Sequence, residues 1–303
     1  MLITYLKLLM TAIFWGGTFI SGRMLADSVP PFSAAFFRFL FAAACLCVLV
    51  VRREGKFPKL GRQQVLPVAL LGLTGVFAYN VFFFNGLKLI TAGRASIIIA
   101  NNPIIISLFS ALFFKESLSP AKAVGILISV AGAVTAISGG DPMALFAGGI
   151  GIGDLYIFCC VLSWSAYTLI GKRVMRDLSP LAAVSYSAAF GVLALLIPAC
   201  MEGMPAAVPG YSLLDWGNLA YLGLFGTVLG FVWYYEGIRV IGPSRASLFI
   251  NFVPISAIGL AHIILKEPVT VSLLVGGILV ITGVTLNHLA NSGVRVFKSK
   301  VRV

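Results

Sequence analysis

The sequence predicts an all-α polytopic membrane protein: ten transmembrane helices arranged as two inverted five-helix repeats. Three observations carry that prediction. First, 59% of the 303 residues are hydrophobic and 11% are charged, whereas a soluble domain carries roughly 25% charged residues. With a mean hydropathy of +1.02, the chain cannot cover a folded surface with polar groups, so lipid is its main solvent. Second, the apolar residues fall into ten runs of about the length that crosses the hydrocarbon as a helix. Third, the second half of the chain repeats the first at an offset of about 150 residues.

In chain order the expected spans are 6–26, 32–51, 66–89, 93–114, 120–138, 153–174, 180–200, 213–239, 244–265 and 270–290. The first run faintly resembles a signal peptide. It continues too far and lacks a small-x-small cleavage site, so it reads as a span. Turn-forming residues separate the runs: Asp27 to Pro31, Glu54 to Gly61, Ser119–Pro120, Gly139 to Pro142, Ser179–Pro180, Pro205 to Gly210 and Gly242–Pro243. Helices are required because lipid offers no partner to an open backbone. The expected domains are 1–140 and 150–292, one repeat each, followed by a basic cytoplasmic tail at 293–303.

Lys and Arg set the sidedness. With the N-terminus in the cytoplasm, 17 basic residues fall inside and four outside: Arg23, Lys88, Arg94 and Lys266. That bias supports both termini in the cytoplasm, hence an even number of spans. The net charge of +12 is thereby explained as topology, and nucleic acid is not expected as a partner. Cys45, Cys47, Cys159, Cys160 and Cys200 all lie in apolar runs, with no spacing of a disulfide framework or zinc site. No cofactor and no metal is expected.

The repeat is read from specific residues. Residues 94–116 and 245–267 share eight identities in 23 positions, including Arg-Ala-Ser at the start, a central proline and Lys-Glu at the close. FNGLKLI at 84–90 aligns with YEGIRVI at 235–241, and FWGGTFISGR at 14–23 with SWSAYTLIGK at 163–172. Gly125 and Gly132 align with Gly276 and Gly283. Because five is odd, the second unit enters the membrane from the other side. Inverted repeats of this kind build secondary transporters, with the substrate site near the midplane between the halves.

These residues resemble the drug/metabolite transporter superfamily, in its ten-helix branch with two EamA-type domains. The resemblance rests on Trp15-Gly16-Gly17-Thr18-Phe19, on the Arg94-Ala95-Ser96 to Pro103 to Lys115-Glu116 block with its repeat, and on the glycine-spaced fifth and tenth spans; it covers roughly residues 5–290. It implies a transporter of the cell inner (plasma) membrane, and among family members the chain is most similar to bacterial exporters of aromatic and other neutral amino acids. With no HExxH helix, Gly-x-Ser-x-Gly elbow or Ser/His/Asp set in the sequence, an enzyme is not expected. Ser165-Ala166 stands where the first half has Gly16-Gly17, so the halves are not chemically equivalent.

The candidate substrate-binding residues are polar or aromatic groups counted to mid-span. Asn101 and Asn102 precede Pro103 in the middle of an uncharged run. Pro103 lacks an N–H and frees the carbonyl of Ile99, and such breaks are tolerated where they face a cavity. Asn101 is expected to meet a zwitterion, with the alternative that both amides tie helices together. Pro103 and its counterpart Pro254 are expected as kinks that shape the cavity. Trp15, Tyr79, Asn80, Trp164, Tyr167, Tyr186 and Trp233 are expected to line it, holding an apolar or aromatic side chain and offering a cation–π contact. Arg38 is a charge inside a span, able to bind a carboxylate, to snorkel, or to pair with Asp27. Glu236 is expected to pair with Arg239, and His262 is a packing residue or proton carrier. Spans five and ten are expected as scaffold, held close by small residues.

GGIGIG at 148–153 lacks the context of a phosphate loop and reads as an outer loop; nothing in the chain resembles an ATP-driven pump. The residues leave open a passive channel, or a carrier of nucleotide sugars or lipid-like molecules. A single mid-span Arg favours a small neutral metabolite over phosphorylated ones.

Overall fold

The computed structural model describes residues 1–114, 120–141, 150–241 and 248–300. The expected close of span four at Lys115–Glu116 and the first two residues of the outer loop at 148–153 lie outside them. Among the described residues there is helix and no strand. We number the ten apolar segments α1 to α10. They are α1 Leu2–Leu25, α2 Pro31–Glu54, α3 Arg62–Leu89, α4 (Ala92–Ile99 then Asn102–Phe114), α5 Pro120–Ile137, α6 Ile152–Val174 and α7 Pro180–Met201. Helix α8 comprises Leu213–Tyr221, Leu222–Leu229 and Gly230–Ile241; α9 comprises Leu248–Asn251, Phe252–Leu260 and Ala261–Leu265; α10 is Val271–Lys300.

Proline and polar caps start several of these helices. Pro31 and Pro180 occupy first-turn positions, where a missing N–H costs nothing, and Ser179 accepts from the Ala182 amide at 3.1 Å. Helices α3 and α8 each carry a π-helical stretch at the same place in the repeat, Gly72–Ala78 and Leu222–Leu229. Each packs a glycine on the first helix of the other repeat. A Cβ on Gly75 would lie 2.2 Å from Tyr167, and one on Gly226 would lie 2.6 Å from Thr18.

The inversion is visible in the direction of equivalent helices. In α5 and α10, Gly125 meets Gly283 while Gly132 meets Gly276, so the two run antiparallel. A Cβ on any of these four glycines would lie 2.5–2.7 Å from a backbone oxygen of the other helix. Backbone contact at this distance is what small residues allow. Likewise α1 runs parallel to α3, with Phe19 on Phe83 and Arg23 Nη1 on the Leu87 carbonyl. It runs antiparallel to α8, with Gly17 on Tyr221 and Leu8 on Gly237. Two five-helix units of opposite sense are therefore packed face to face.

Polar contacts join the units at both ends. At the end where α1 begins, Glu236 accepts from Lys7 Nζ (2.8 Å) and Arg53 Nη1 (2.9 Å). These are the partners of Glu236; the Arg239 side chain lies outside the described ones. At the opposite end, four acidic residues of the second unit reach the first. Asp154 takes Arg94 Nε and Nη2, both at 2.6 Å. Glu267 accepts the amides of Ala92 and Gly93 at the start of α4. Glu202 accepts the amide and hydroxyl of Ser33, and Asp215 the hydroxyl of Ser28. Carboxylates at helix N-termini satisfy orphan amides and favour the helix dipole. His262 lies exposed at this end, its Nδ1 3.1 Å from the Glu267 carbonyl oxygen.

Candidate substrate cavity

Between the units lies a cavity of about 490 Å³. Residues from α1, α2, α3, α4, α6, α7, α8 and α9 line it; among the described residues α5 and α10 contribute none. It reaches from mid-depth toward the end where α1 begins, where Met175 and Ile250 border it. At the other end it stops at Phe19, Phe83 and Ser96. The edge-to-face pair Phe19–Phe83, 5.3 Å between centroids, closes it there, backed by Gly22 against Leu87.

An aromatic belt crosses the two halves within this wall. Trp15 meets Phe231 (5.9 Å) and Tyr234 (5.4 Å), Phe231 meets Trp164 (5.9 Å), and Trp164 meets Tyr79 (5.5 Å) and Tyr167 (5.3 Å). Trp15 and Trp164 are equivalent residues of the two repeats. The Trp15 indole donates to the Gly226 carbonyl at 2.9 Å, and no side chain on Gly226 or Gly230 stands in the way. Such rings present flat apolar faces while their polar edges are satisfied elsewhere.

Among the described residues Arg38 is the charge in this wall, and it is 7% exposed. It does not snorkel and does not pair with Asp27. Its Nη1 donates to Asn80 Oδ1 at 3.0 Å, and its Nε approaches Thr227 Oγ1 at 3.4 Å. The glycine at 223 brings α8 onto α2, since a Cβ there would lie 2.8 Å from the Arg38 carbonyl. Asn80 is held by its own amide, which donates to the Val76 carbonyl at 2.7 Å and so turns its oxygen toward Arg38. Beside them is a niche of about 30 Å³, bordered by Arg38, Asn80, Ser187 and Thr227 among others.

The break in α4 falls at Ala100–Asn101, just before Pro103. Asn102 and Pro103 line the cavity, as does Pro254. Of the expected residues, Trp15, Arg38, Tyr79, Trp164 and Tyr167 also line it. Four others are placed elsewhere. Asn101 points to the scaffold: its amide donates to the Ile97 carbonyl, and Ser129 of α5 donates to its oxygen at 2.7 Å. Asn80 borders only the niche behind Arg38. Tyr186 lies six residues into α7, with its hydroxyl on the Pro58 carbonyl and its ring on Phe57. Trp233 packs on Phe14, with Lys7 Nζ 6.0 Å from its ring centre. It lies on the far side of α8 because Phe231 and Tyr234, three apart, hold the cavity face.

Sequence reasoning turned both Asn101 and Asn102 toward the interior, of which Asn102 lines the cavity, and it passed over Phe231 and Tyr234. The repeat itself holds the missing signal. At an offset of 151, Phe231 is the counterpart of Asn80 and Tyr234 of Phe83.

Residues 2–138 and 151–289 each match the model of the EamA-like transporter family. The chain belongs to that family. It is 30% identical over 280 residues to the uncharacterized transporter YyaM of Bacillus subtilis, covering 92% of each chain. It is 28% identical to the uncharacterized transporter YetK of the same organism, over 91% of this chain and 86% of that one. An uncharacterized transporter of Archaeoglobus fulgidus is 28% identical over 93% of this chain and 96% of the other. A crystal structure of a protein 22% identical in sequence shares the fold, with a TM-score of 0.63 over 93% of this chain and 97% of that one. As an EamA protein the chain is a multi-pass membrane transporter in the drug/metabolite transporter superfamily. Its partners are accordingly the lipid bilayer and a small-molecule substrate.

Proposed function

We propose that this EamA protein is a secondary transporter that exports small neutral or aromatic amino acids, or similar metabolites, across the inner membrane by alternating access. The observation that carries this reading is the aromatic-belted cavity, closed at one end, between two units of opposite sense. Such halves have two near-equivalent arrangements, each opening the same pocket to one side. With the N-terminal end in the cytoplasm, as the basic residues favour, the cavity is open inward and takes its solute from the cell. The belt suits an apolar or aromatic side chain, since base-flat rings stack and also attract an ammonium. A closed end argues against a continuous pore, which needs polar lining along its whole length.

Uptake and counterflow of a panel of labelled amino acids by the purified protein in liposomes test the proposal. Saturable exchange of one or more neutral or aromatic members supports it. A flux that neither saturates nor exchanges, or no flux for any member, rejects it.

A further inference from the structure

Two polar groups in the cavity wall lack their complements, and their demands are opposite. Arg38 is buried, and among the described residues its partners are the neutral oxygens of Asn80 and Thr227 and the face of the Phe39 ring, 5.4 Å from its guanidinium carbon, with no carboxylate in ion-pair range. A guanidinium in that state wants an anion, because an unpaired charge away from water is costly. Asn102 Oδ1 is fully buried and accepts no hydrogen bond, so it wants a donor. Next to it, Pro103 offers no N–H to the Ile99 carbonyl, and Ile99 also borders the cavity. Arg38 and Asn102 are both lining residues of the same space, where a turn of the Asn102 amide brings its oxygen to a donor, and the niche beside Arg38 has room for the end of one small polar group.

We infer that Arg38 takes the carboxylate and Asn102 the ammonium of an α-amino acid, and that this pair decides which solutes the cavity accepts. The inference rests on the transport reading above and adds the polarity of the bound solute. A guanidinium holds a carboxylate through its planar fork, a stronger contact than either makes with a neutral group. An amine lacking the carboxylate leaves Arg38 unmatched and adds a like charge. An acid lacking the ammonium satisfies Arg38 and leaves only Asn102 unmatched. The expected order of affinity is L-phenylalanine, then 3-phenylpropionate, then L-phenylalaninamide with phenethylamine.

The test is counterflow of labelled L-phenylalanine in proteoliposomes, competed by each of these four compounds. In the unmodified protein, L-phenylalaninamide should compete at least about tenfold more weakly than L-phenylalanine, as loss of one charge-assisted pair demands. Arg38→Gln should erase the preference for acid over amide. Arg38→Lys should keep that preference at lower affinity. Asn102→Leu should weaken L-phenylalanine severalfold and leave 3-phenylpropionate unchanged. Equal competition by acid and amide in the unmodified protein overturns the inference while labelled phenylalanine still exchanges, so the transport reading survives. The comparison needs no variant to fold. If no labelled amino acid exchanges at all, both readings fall together.

Discussion

The seam between α5 and α10 gives a prediction whose sign differs between glycines. Consider Gly132→Ala. The added Cβ would lie 2.6 Å from the Gly276 carbonyl oxygen and 2.7 Å from the Val280 nitrogen. Both are backbone atoms and cannot rotate aside, so the helices must separate by several tenths of an ångström along their length. Overpacking of this kind costs about 1–3 kcal/mol, which for a chain of this size is a fall in melting temperature of about 2–5 °C. Gly259→Ala is the control. Nothing lies within 4 Å of a Cβ at that position in α9, and alanine is the better helix former by about 1 kcal/mol, so the same chemical change should stabilise. The assay is thermal unfolding of purified protein in one detergent, followed by size exclusion to confirm a single folded species. Equal melting temperatures for the two variants, or a rise for Gly132→Ala, would show that the seam yields and is not the rigid contact described here.

Further outcomes are expected elsewhere. Asn101→Leu should lower thermal stability, because Ser129 loses its acceptor, while leaving the half-saturation concentration for solute unchanged; purified variants in liposomes check both. Trp164→Ala should slow exchange at least severalfold without loss of folded protein, since the ring joins Tyr79, Tyr167 and Phe231 across the cavity; normal rates would remove the belt from the mechanism. Asp154→Asn takes away the carboxylate facing Arg94 at the closed end, and it should speed maleimide labelling of Ser96→Cys from outside the cell. Asp141→Cys should react only with reagent added outside, and labelling from the cytoplasm would reverse the assigned orientation.

The spans and their inversion were legible because hydropathy, turn residues and an odd repeat of five act along the chain. Rotation about each helix axis was not. In a soluble helix the polar face marks what points outward, but lipid is as apolar as the interior, so Trp233 and Tyr234 look alike in sequence while one packs on Phe14 and the other lines the cavity. Asn101 and Asn102 show the same difficulty. The break at Ala100–Asn101 sets the phase of the helix that follows, and adjacent residues on a helix are about 100° apart. Asn102 therefore meets the cavity while Asn101 meets Ser129. Arg38 was recognisable as unusual, yet its cradle of Asn80 and Thr227 comes from two other helices.

The matched π-helical stretches in α3 and α8 have a consequence for movement. Each holds surplus backbone in wide turns whose hydrogen bonds reach five residues back, as from the Tyr79 amide to the Thr74 carbonyl. Passing that surplus along by a residue turns only the residue it passes, by about 100°, while the helix beyond keeps its phase and the ladder bonds re-form. Both halves thus own slack at the depth of Arg38, so either can turn a new ring toward the solute without melting a helix.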